Sequence, residues 1–329
     1  MKRREFITLL GGAAAWPLTV RAQQADRMRA VGVLMPGIAT EADRQGWVTE
    51  FTQALHKLGW VEGKNIHLEI RWNSGDADRA RANAAELVKL APDVILAATS
   101  ANLDPLLQIT ETIPIVFTQI SDPVAQGFVK DLTHPGGNVT GFAAYEFSIG
   151  SKWLALLKQA VPGVTRVAIM SNAKAPPQSS FFLRSIEAAA PTFGIRIIDA
   201  PIHDAADVTR TIEGVSAEPN GGLLVTTDTF VILHRDLIVE LANKHHLPSI
   251  AADLAFVQKG GLIYYGYDQD NQFRQAGIYV DRILKGARAG DLPIQFPTKF
   301  TFIINNRAAG ILGIDLPLNM LLLADEVIE

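Results

Sequence analysis

Small polar residues follow the apolar runs of this sequence at the points where the runs end. Short apolar, β-branched runs are typical of buried parallel strands, and small ligands bind beyond the carboxyl ends of such strands. Free amide donors at the start of the next helix suit a carboxylate or a similar anion. The candidate ligand-binding residues at these ends are Gly37, Thr99, Ser100, Gln119, Asp122, Asn172, Thr227, Asp228 and Asp253.

The same residues have a plainer explanation, because Ser, Thr, Asn and Asp are the preferred N-caps of helices. Asp122 precedes Pro123 and Asp253 precedes a predicted helix, so a local turn or cap accounts for each. Binding is favoured because both halves of the chain carry such residues at equivalent strand ends. Asp122, Asp228 and Asp253 could then pair with an ammonium group of the ligand.

Two tyrosines are candidates for contact with a planar ligand. Tyr145 and Tyr265 lie near predicted connections between the two halves, and aromatic side chains stack well on rings. Tyr264 and Tyr265 point to opposite faces of one strand, so at most one of them faces a cleft. We predict that Tyr145 or Tyr265 packs against any ring of the ligand.

Catalytic motifs are missing from the sequence. It has no Gly-rich dinucleotide or phosphate loop, no Gly-x-Ser-x-Gly elbow and no His-Glu-x-x-His pair. Cysteine is absent, which excludes thiol catalysis, disulfides and a lipidated cysteine anchor. His245 and His246 end a helix, where imidazole suits the helix dipole, so we expect neither a metal nor a cofactor. Binding is favoured over catalysis, with an exported hydrolase using Asp228 and Asp253 as an acid/base pair as the alternative.

Composition limits the partners. Of 329 residues, 48% are hydrophobic and 19% charged, which suits two domains with substantial cores. A net charge of -4 gives no basic field for nucleic acid, so no nucleic-acid partner is expected.

The N-terminus resembles an export signal. Arg3 and Arg4 with Phe6 precede a weakly apolar run at 8–18, and a small-x-small site ends at Ala22. This pattern predicts a twin-arginine signal peptide over 1–22, cleaved near Ala22. An amphipathic first helix is the alternative, because the run is too short to span a bilayer. We therefore expect a soluble protein of the periplasm.

The rest of the chain alternates apolar runs with amphipathic helices, the pattern of βαβ units and a parallel sheet. The predicted strands of the first half are 31–35, 66–72, 93–98 and 113–118. The order recurs in the second half, with predicted strands at 166–170, 194–199, 222–225 and 247–251. The fold class predicted is α/β, with two similar doubly wound parallel-sheet lobes.

The stretch 113–142 holds the predicted crossing between these lobes. A strand, a short helical segment and a Pro-Gly-Gly-Asn turn lead there to a further strand at 139–142. The helix predicted at 269–286 returns to lobe 1, and the strand at 299–304 goes to lobe 2. The predicted boundaries are 28–119 plus 266–295 for lobe 1, and 120–265 plus 296–329 for lobe 2.

Several motifs resemble one family. They are Arg-Arg-Glu-Phe-Ile at 3–7, Asp-Pro-Val at 122–124, His-Pro-Gly-Gly-Asn-Val-Thr-Gly-Phe at 134–142, Gly-Gly-Leu-Ile-Tyr-Tyr-Gly at 260–266 and Pro-Thr-Lys-Phe-Thr-Phe-Ile-Ile-Asn at 297–305. The sequence is similar to the ABC-transporter substrate-binding family that includes tryptophan- and other aromatic amino-acid-binding proteins. This resemblance implies a type I periplasmic-binding-protein fold with three crossovers in its hinge. It also implies delivery of a captured solute to a membrane permease and its ATPase, and we expect a monomer.

Two departures from the family pattern concern the ligand. Ala143-Ala144-Tyr145 follows the Val-Thr-Gly-Phe strand where the family commonly has Glu and Lys, and Gln119-Ile120 replaces smaller or Asn/Val-type residues. An aromatic ligand is therefore not assumed. The prediction is a receptor for a small organic solute, an amino acid or an aromatic or carboxylate compound, with a ligand sensor for a signalling receptor as the alternative.

Overall fold

The computed structural model describes residues 27–173 and 178–329, without the side chains of Thr229 and Phe230. The predicted signal peptide lies outside these residues. The first sheet has the strand order β2-β1-β3-β4-β5, and all neighbours in it are parallel. Its strands are β1 (Arg29–Met35), β2 (Ile66–Trp72), β3 (Val94–Ala98), β4 (Ile115–Ile120) and β5 (Val139–Ala143).

Helices cover both faces of this first sheet. The connecting helices are α1 (Ala42–Lys57), α2 (Ala77–Lys89) and α3 (Ser100–Ile109). On α1, the buried side chains Trp47, Phe51 and Leu55 recur at helical spacing and pack on one face of the sheet. Leu87 of α2 and Leu103 of α3 pack on the other face.

The second sheet has seven strands in the order β12-β11-β10-β9-β8-β6-β7. Its strands are β6 (Arg166–Asn172), β7 (Arg196–Ile202), β8 (Gly221–Val225), β9 (Ser249–Ala251), β10 (Ile263–Tyr267), β11 (Phe300–Asn305) and β12 (Glu326–Ile328). Only the β10–β11 pair is antiparallel among the paired strands of the described residues. The predicted α/β class with two parallel-sheet lobes is confirmed.

The remaining helices follow in chain order. They are α4 (Ile149–Ala160), α5 (Gln178–Ala189), α6 (Ala205–Ser216), α7 (Thr229–Leu233), α8 (Arg235–Lys244), α9 (Leu254–Gln258), α10 (Gln269–Leu284), α11 (Asn306–Leu312) and α12 (Leu318–Leu323). The single helix predicted near 230–245 is two helices, α7 and α8, with His234 between them. The sequence analysis did not predict α12 and β12.

The position of β5 corrects the predicted lobe boundary. The boundary at 119/120 assigned the strand at 139–142 to lobe 2, whereas Val139 pairs with Ile115 in the first sheet. Gly141 permits this pairing, because its φ is +154° and a Cβ there would lie 2.2 Å from the Phe117 carbonyl oxygen. The segment after Asp122 forms turns rather than the predicted short helix. The chain crosses to the second lobe after Ala143.

Helix α10 brings the chain back to the first lobe. The Phe273 ring stacks on Trp47 with centroids 5.4 Å apart. A Cβ added at Gly277 would lie 2.8 Å from the Cβ of Ala54, so glycine lets α10 approach α1 closely. No helix of the described residues is long and apolar enough to cross a membrane.

Candidate ligand-binding site

The carboxyl ends of the two sheets face each other, and one arginine joins the lobes. Nη1 of Arg235, the first residue of α8, donates to Oδ2 of Asp43 in the first turn of α1, at 3.0 Å. The same nitrogen donates to Oδ2 of Asp253, which follows β9, also at 3.0 Å. A Cβ added at Gly75, beyond β2, would lie 2.8 Å from Cδ1 of Leu233. These contacts define an interlobe cleft between the strand ends.

The charges of this bridge affect each other. Burial favours the neutral form of Asp43, but Arg44 and Arg235 outweigh it and hold the pKa of Asp43 below its ordinary value. Burial likewise opposes the charge of Arg235, yet Asp253 and Asp43 raise its pKa. Asp253 is only 7% exposed, and this burial raises its pKa despite Arg235. The bridge is therefore a partly desolvated ion pair shared by both lobes.

Two buried asparagines hold the strand ends of the first lobe. Nδ2 of Asn73 donates to Oδ1 of Asn102 at 2.8 Å, and Nδ2 of Asn102 donates to backbone carbonyls at the ends of β1 and β3. Oδ1 of Asn73 accepts from the backbone nitrogens of Gly37 and Gly75. This network fixes the turns that border the cleft. The sequence analysis did not identify either asparagine.

The backbone adopts rare conformations at three predicted site residues. Thr99, Gln119 and Asp122 have φ values of +73°, +59° and +43°. Such conformations in non-glycine residues cost of order 1 kcal/mol or more and concentrate at binding sites. The Asp122 carboxylate accepts from the backbone nitrogen of Ala125 at 3.0 Å, so the local turn role that its sequence allowed is present.

Unpaired buried polar atoms concentrate at the cleft. In the part of the chain that the structure describes, eight buried side-chain nitrogen or oxygen atoms lack a hydrogen-bond partner. Seven of them lie at or next to the carboxyl ends of strands: Nε and Nη2 of Arg44, Oγ1 of Thr99, Oγ of Ser100, Oγ1 of Thr118, the hydroxyl of Tyr145 and Oγ1 of Thr227. Native proteins pair nearly all buried polar atoms. A cluster from both lobes therefore indicates a site that a polar ligand completes.

The remaining predicted residues of the second lobe lie at strand ends as well. Asn172 ends β6, and its carbonyl accepts from the hydroxyl of Ser179 at 3.3 Å. Asp228 is partly buried before α7, and its carbonyl accepts from the backbone nitrogen of Ile232. Asp253 belongs to the interlobe bridge. The structure thus places Asn172, Thr227, Asp228 and Asp253 along one edge of the second sheet.

The predicted stacking role of Tyr145 is wrong. Its ring is 2% exposed inside the second lobe, against the rings of Trp153 at 5.4 Å, Tyr267 at 5.0 Å and Phe300 at 5.8 Å. Burial raises the pKa of Tyr145 well above its ordinary value. The chain enters this core directly after β5, so packing covers the ring. Only the unpaired hydroxyl is available for a ligand.

Tyr265 is also engaged within the second lobe. Its ring stacks on Phe300 with centroids 5.6 Å apart and 12° between the planes, and Nζ of Lys152 lies 5.8 Å from its centroid. Burial raises its pKa, although the ring remains partly exposed. A stacking role for Tyr265 stays a prediction.

Arg44 is a residue of the cleft that the sequence analysis missed. Its side chain lies beside Gly37, because a Cβ there would be 3.0 Å from Nε. It is 2% exposed, and its guanidinium carbon lies 4.4 Å from the Trp47 ring centroid. The available signal was its position one turn before Trp47, within the apolar stripe of α1. A charged residue in such a stripe needs a partner.

A separate cavity lies at the opposite edge of the second sheet. It has a volume of about 260 Å³ and borders the amino ends of β6, β8 and β9, with Val164, Gly221 and His245 in its lining. Nδ1 of His245 lies 3.3 Å from Oγ of Ser216. The described residues contain no group of three His, Cys, Asp or Glu able to hold a metal ion. This cavity contains no predicted site residue.

Residues 30–328 match the family of ABC transporter substrate binding proteins. The chain belongs to this family. A tyrosine-binding protein of Clostridioides difficile is 28% identical over 255 residues, covering 78% of this substrate-binding protein and 73% of the relative. The predicted family resemblance and its type I fold are confirmed.

Solved structures share the fold of this substrate-binding protein. A conserved domain protein from Vibrio cholerae has a TM-score of 0.84 at 26% identity, covering 92% of this chain and 100% of that one. An ABC domain from Streptococcus pneumonia in complex with L-Trp has a TM-score of 0.83 at 21% identity, with the same coverage. A ligand-free, open substrate binding protein with adhesive properties from Clostridium difficile has a TM-score of 0.67 at 25% identity, covering 92% and 99%. The two lobes thus superpose better on the L-Trp complex than on the open structure.

Proposed function

We propose that this substrate-binding protein captures a small organic solute between its lobes, an amino acid or an aromatic or other carboxylate compound. The observation that carries this proposal is the set of seven unpaired polar atoms at the strand ends, contributed by both lobes. A ligand that pairs with them contacts both lobes at once. It therefore favours the closed arrangement by the contacts that only this arrangement offers.

The relatives favour an amino acid as the solute, since one is named a tyrosine-binding protein and a structural relative was solved with L-Trp. The receptor then passes its solute to a membrane permease and ATPase. The predicted signal peptide supports export to the periplasm, where such a handover takes place, and we propose that the protein works there as a monomer.

Binding without chemical conversion is the proposed activity. The hydrolase alternative needs Asp253 as a free acid or base, but this residue forms an ion pair with Arg235. A buried carboxylate held by a cation is less available for proton transfer than a free one. This arrangement favours a structural role for Asp253 in the bridge.

A thermal-shift screen tests the proposal. The purified protein is heated with amino acids, aromatic acids, sugars and other small metabolites. A ligand that binds only the folded state adds about 2.7 kcal/mol of stability at a hundredfold excess over its Kd. We expect amino or aromatic acids to raise the melting temperature, and sugars to leave it unchanged. A melting temperature unchanged by every compound would contradict the proposed receptor function.

A further inference from the structure

The guanidinium of Arg44 is held in one orientation at the cleft. It stacks on Trp47 and lies against the turn after β1, where a Cβ at Gly37 would be 3.0 Å from Nε. Arg44 also opposes the burial that raises the pKa of Asp253, so its charge acts across the cleft on the second lobe. The guanidinium is therefore buried between the lobes rather than directed to solvent.

One edge of this guanidinium lacks partners. Both Nε and Nη2 are buried without a hydrogen bond. These two nitrogens form a planar pair of donors whose spacing matches the two oxygens of a carboxylate. A buried charged group with unpaired donors is strongly unfavourable, so a partner for this edge is expected.

The nearby carboxylates of the chain do not supply that partner. Oε2 of Glu41 lies 3.4 Å from Nε, within ion-pair distance but outside hydrogen-bond geometry, and it already accepts from the backbone nitrogen of Ile38. Asp43 is occupied by Arg235 and by the backbone nitrogen of Arg44. Asp253 is likewise paired with Arg235. Nη2 of Arg44 has no acceptor from any of them.

We infer that Arg44 binds the carboxylate of the ligand through its Nε and Nη2 donors, and that a carboxylate is a required feature of the ligand. This inference rests on the proposed function, because it assumes that a ligand occupies the cleft. It goes beyond it by naming the recognised group and the residue that recognises it. A lysine could not replace Arg44 fully, because its single ammonium cannot form two parallel hydrogen bonds.

Pairs of compounds that differ only in the carboxylate test this inference. Calorimetric titration compares L-tyrosine with tyramine and L-tryptophan with tryptamine. The same pairs are titrated into wild type, Arg44→Met and Arg44→Lys. Arg288→Met is the matched control, because Arg288 is exposed just beyond the end of α10 and pairs with Asp291.

We expect the wild type to bind the amino acids at least about 100-fold more tightly than the amines, since loss of a buried charged partner costs about this much or more. Arg44→Met should lower affinity for the amino acids by a similar factor and leave the amines unchanged. Arg44→Lys should fall between wild type and Arg44→Met, and Arg288→Met should match wild type. Arg44→Met should remain folded by circular dichroism, because it replaces an unpaired buried cation with an apolar chain.

Two results would overturn the inference and leave the receptor function intact. In the first, wild type binds amines as tightly as the amino acids, or the thermal screen yields a ligand without a carboxylate. In the second, folded Arg44→Met keeps the wild-type preference. If Arg44→Met fails to fold, Arg44→Lys and the wild-type pairs decide the matter. If no compound of the screen binds wild type, the receptor proposal fails and the inference fails with it.

Discussion

Buried hydroxyl groups without partners are unusual in a folded protein, and this chain holds several at one place. A hydroxyl that loses its bonds to water on burial costs about 1–3 kcal/mol unless a partner replaces them. Thr99, Ser100 and Thr227 carry this cost at the cleft. A ligand that accepts or donates at these groups recovers it on binding. Stability of the free protein and affinity for the ligand are therefore expected to respond in opposite ways to substitution.

Thr227→Val tests this opposition. Valine has the shape of threonine without the hydroxyl, so the free protein should be equally stable or slightly more stable. Affinity for the ligand should fall by about 1–2 kcal/mol, roughly 5- to 30-fold, because one ligand hydrogen bond is lost. Denaturant unfolding and calorimetric titration measure the two quantities.

Thr140→Val is the control for that experiment. The Thr140 hydroxyl is fully buried but donates to the Leu292 carbonyl at 2.7 Å. Its removal should destabilise the fold by about 1 kcal/mol and leave affinity nearly unchanged. A Thr227→Val protein that lost stability like Thr140→Val, yet bound the ligand with wild-type affinity, would remove Thr227 from the site.

The strand pair β4–β5 determines where the chain leaves the first lobe. Its close approach depends on Gly141, whose position opposite Phe117 has no room for a side chain. Gly141→Ala should destabilise the protein by about 2–3 kcal/mol, because the added carbon meets rigid backbone and not a movable side chain. Urea unfolding measures the loss.

A second glycine provides the comparison. Gly214 lies within α6, and a Cβ added there would meet no atom within 4 Å outside its own helix. Gly214→Ala should stabilise the protein by about 0.5–1 kcal/mol through helix propensity. Equal effects of the two substitutions would show that β5 does not require glycine.

The sequence predicted most elements because apolar periodicity and turn residues determine them locally. It assigned β5 to the wrong lobe, since a strand's partner depends on packing between distant segments. It also predicted α7 and α8 as one helix, because their apolar pattern continues through the break at His234. In the site, the hydroxyl residues were predictable from their places after apolar runs. The burial of Arg44 and of the Tyr145 ring depends on tertiary packing, and no local pattern showed it.

The lobes meet through a bridge that belongs to neither lobe alone. Arg235 shares one nitrogen between Asp43 of the first lobe and Asp253 of the second. A ligand and this bridge both favour the arrangement with the lobes together. The protein is thus expected to be partly closed before a ligand binds, with the ligand shifting the remaining population.

Asp43→Asn tests the bridge through its pH dependence. The pKa of Asp43 is lowered in the folded protein from an ordinary value of 3.8, so its charge stabilises the fold above that value. This contribution is lost as the pH falls through the lowered folded pKa. We expect Asp43→Asn to be about 0.5–1 kcal/mol less stable than wild type at pH 7, with the difference shrinking toward zero near pH 3. Urea unfolding at both pH values measures it.

Asp236→Asn serves as the control for the bridge. Asp236 pairs with Lys259 within the second lobe, and both side chains are exposed. Its substitution should change stability little at pH 7, because exposed ion pairs contribute weakly. A stability difference for Asp43→Asn that persisted unchanged at pH 3 would mean that the charge of Asp43 does not stabilise the fold.

The central claim is that one solute binds between the lobes and leaves chemically unchanged. Isothermal titration calorimetry of the wild-type protein with the tightest compound of the thermal screen tests this claim most directly, followed by mass spectrometry of the recovered compound. We predict one binding site per chain and full recovery of the compound. Absence of binding heat over a range of temperatures, more than one equivalent site, or conversion of the compound would contradict a solute receptor with a single interlobe site.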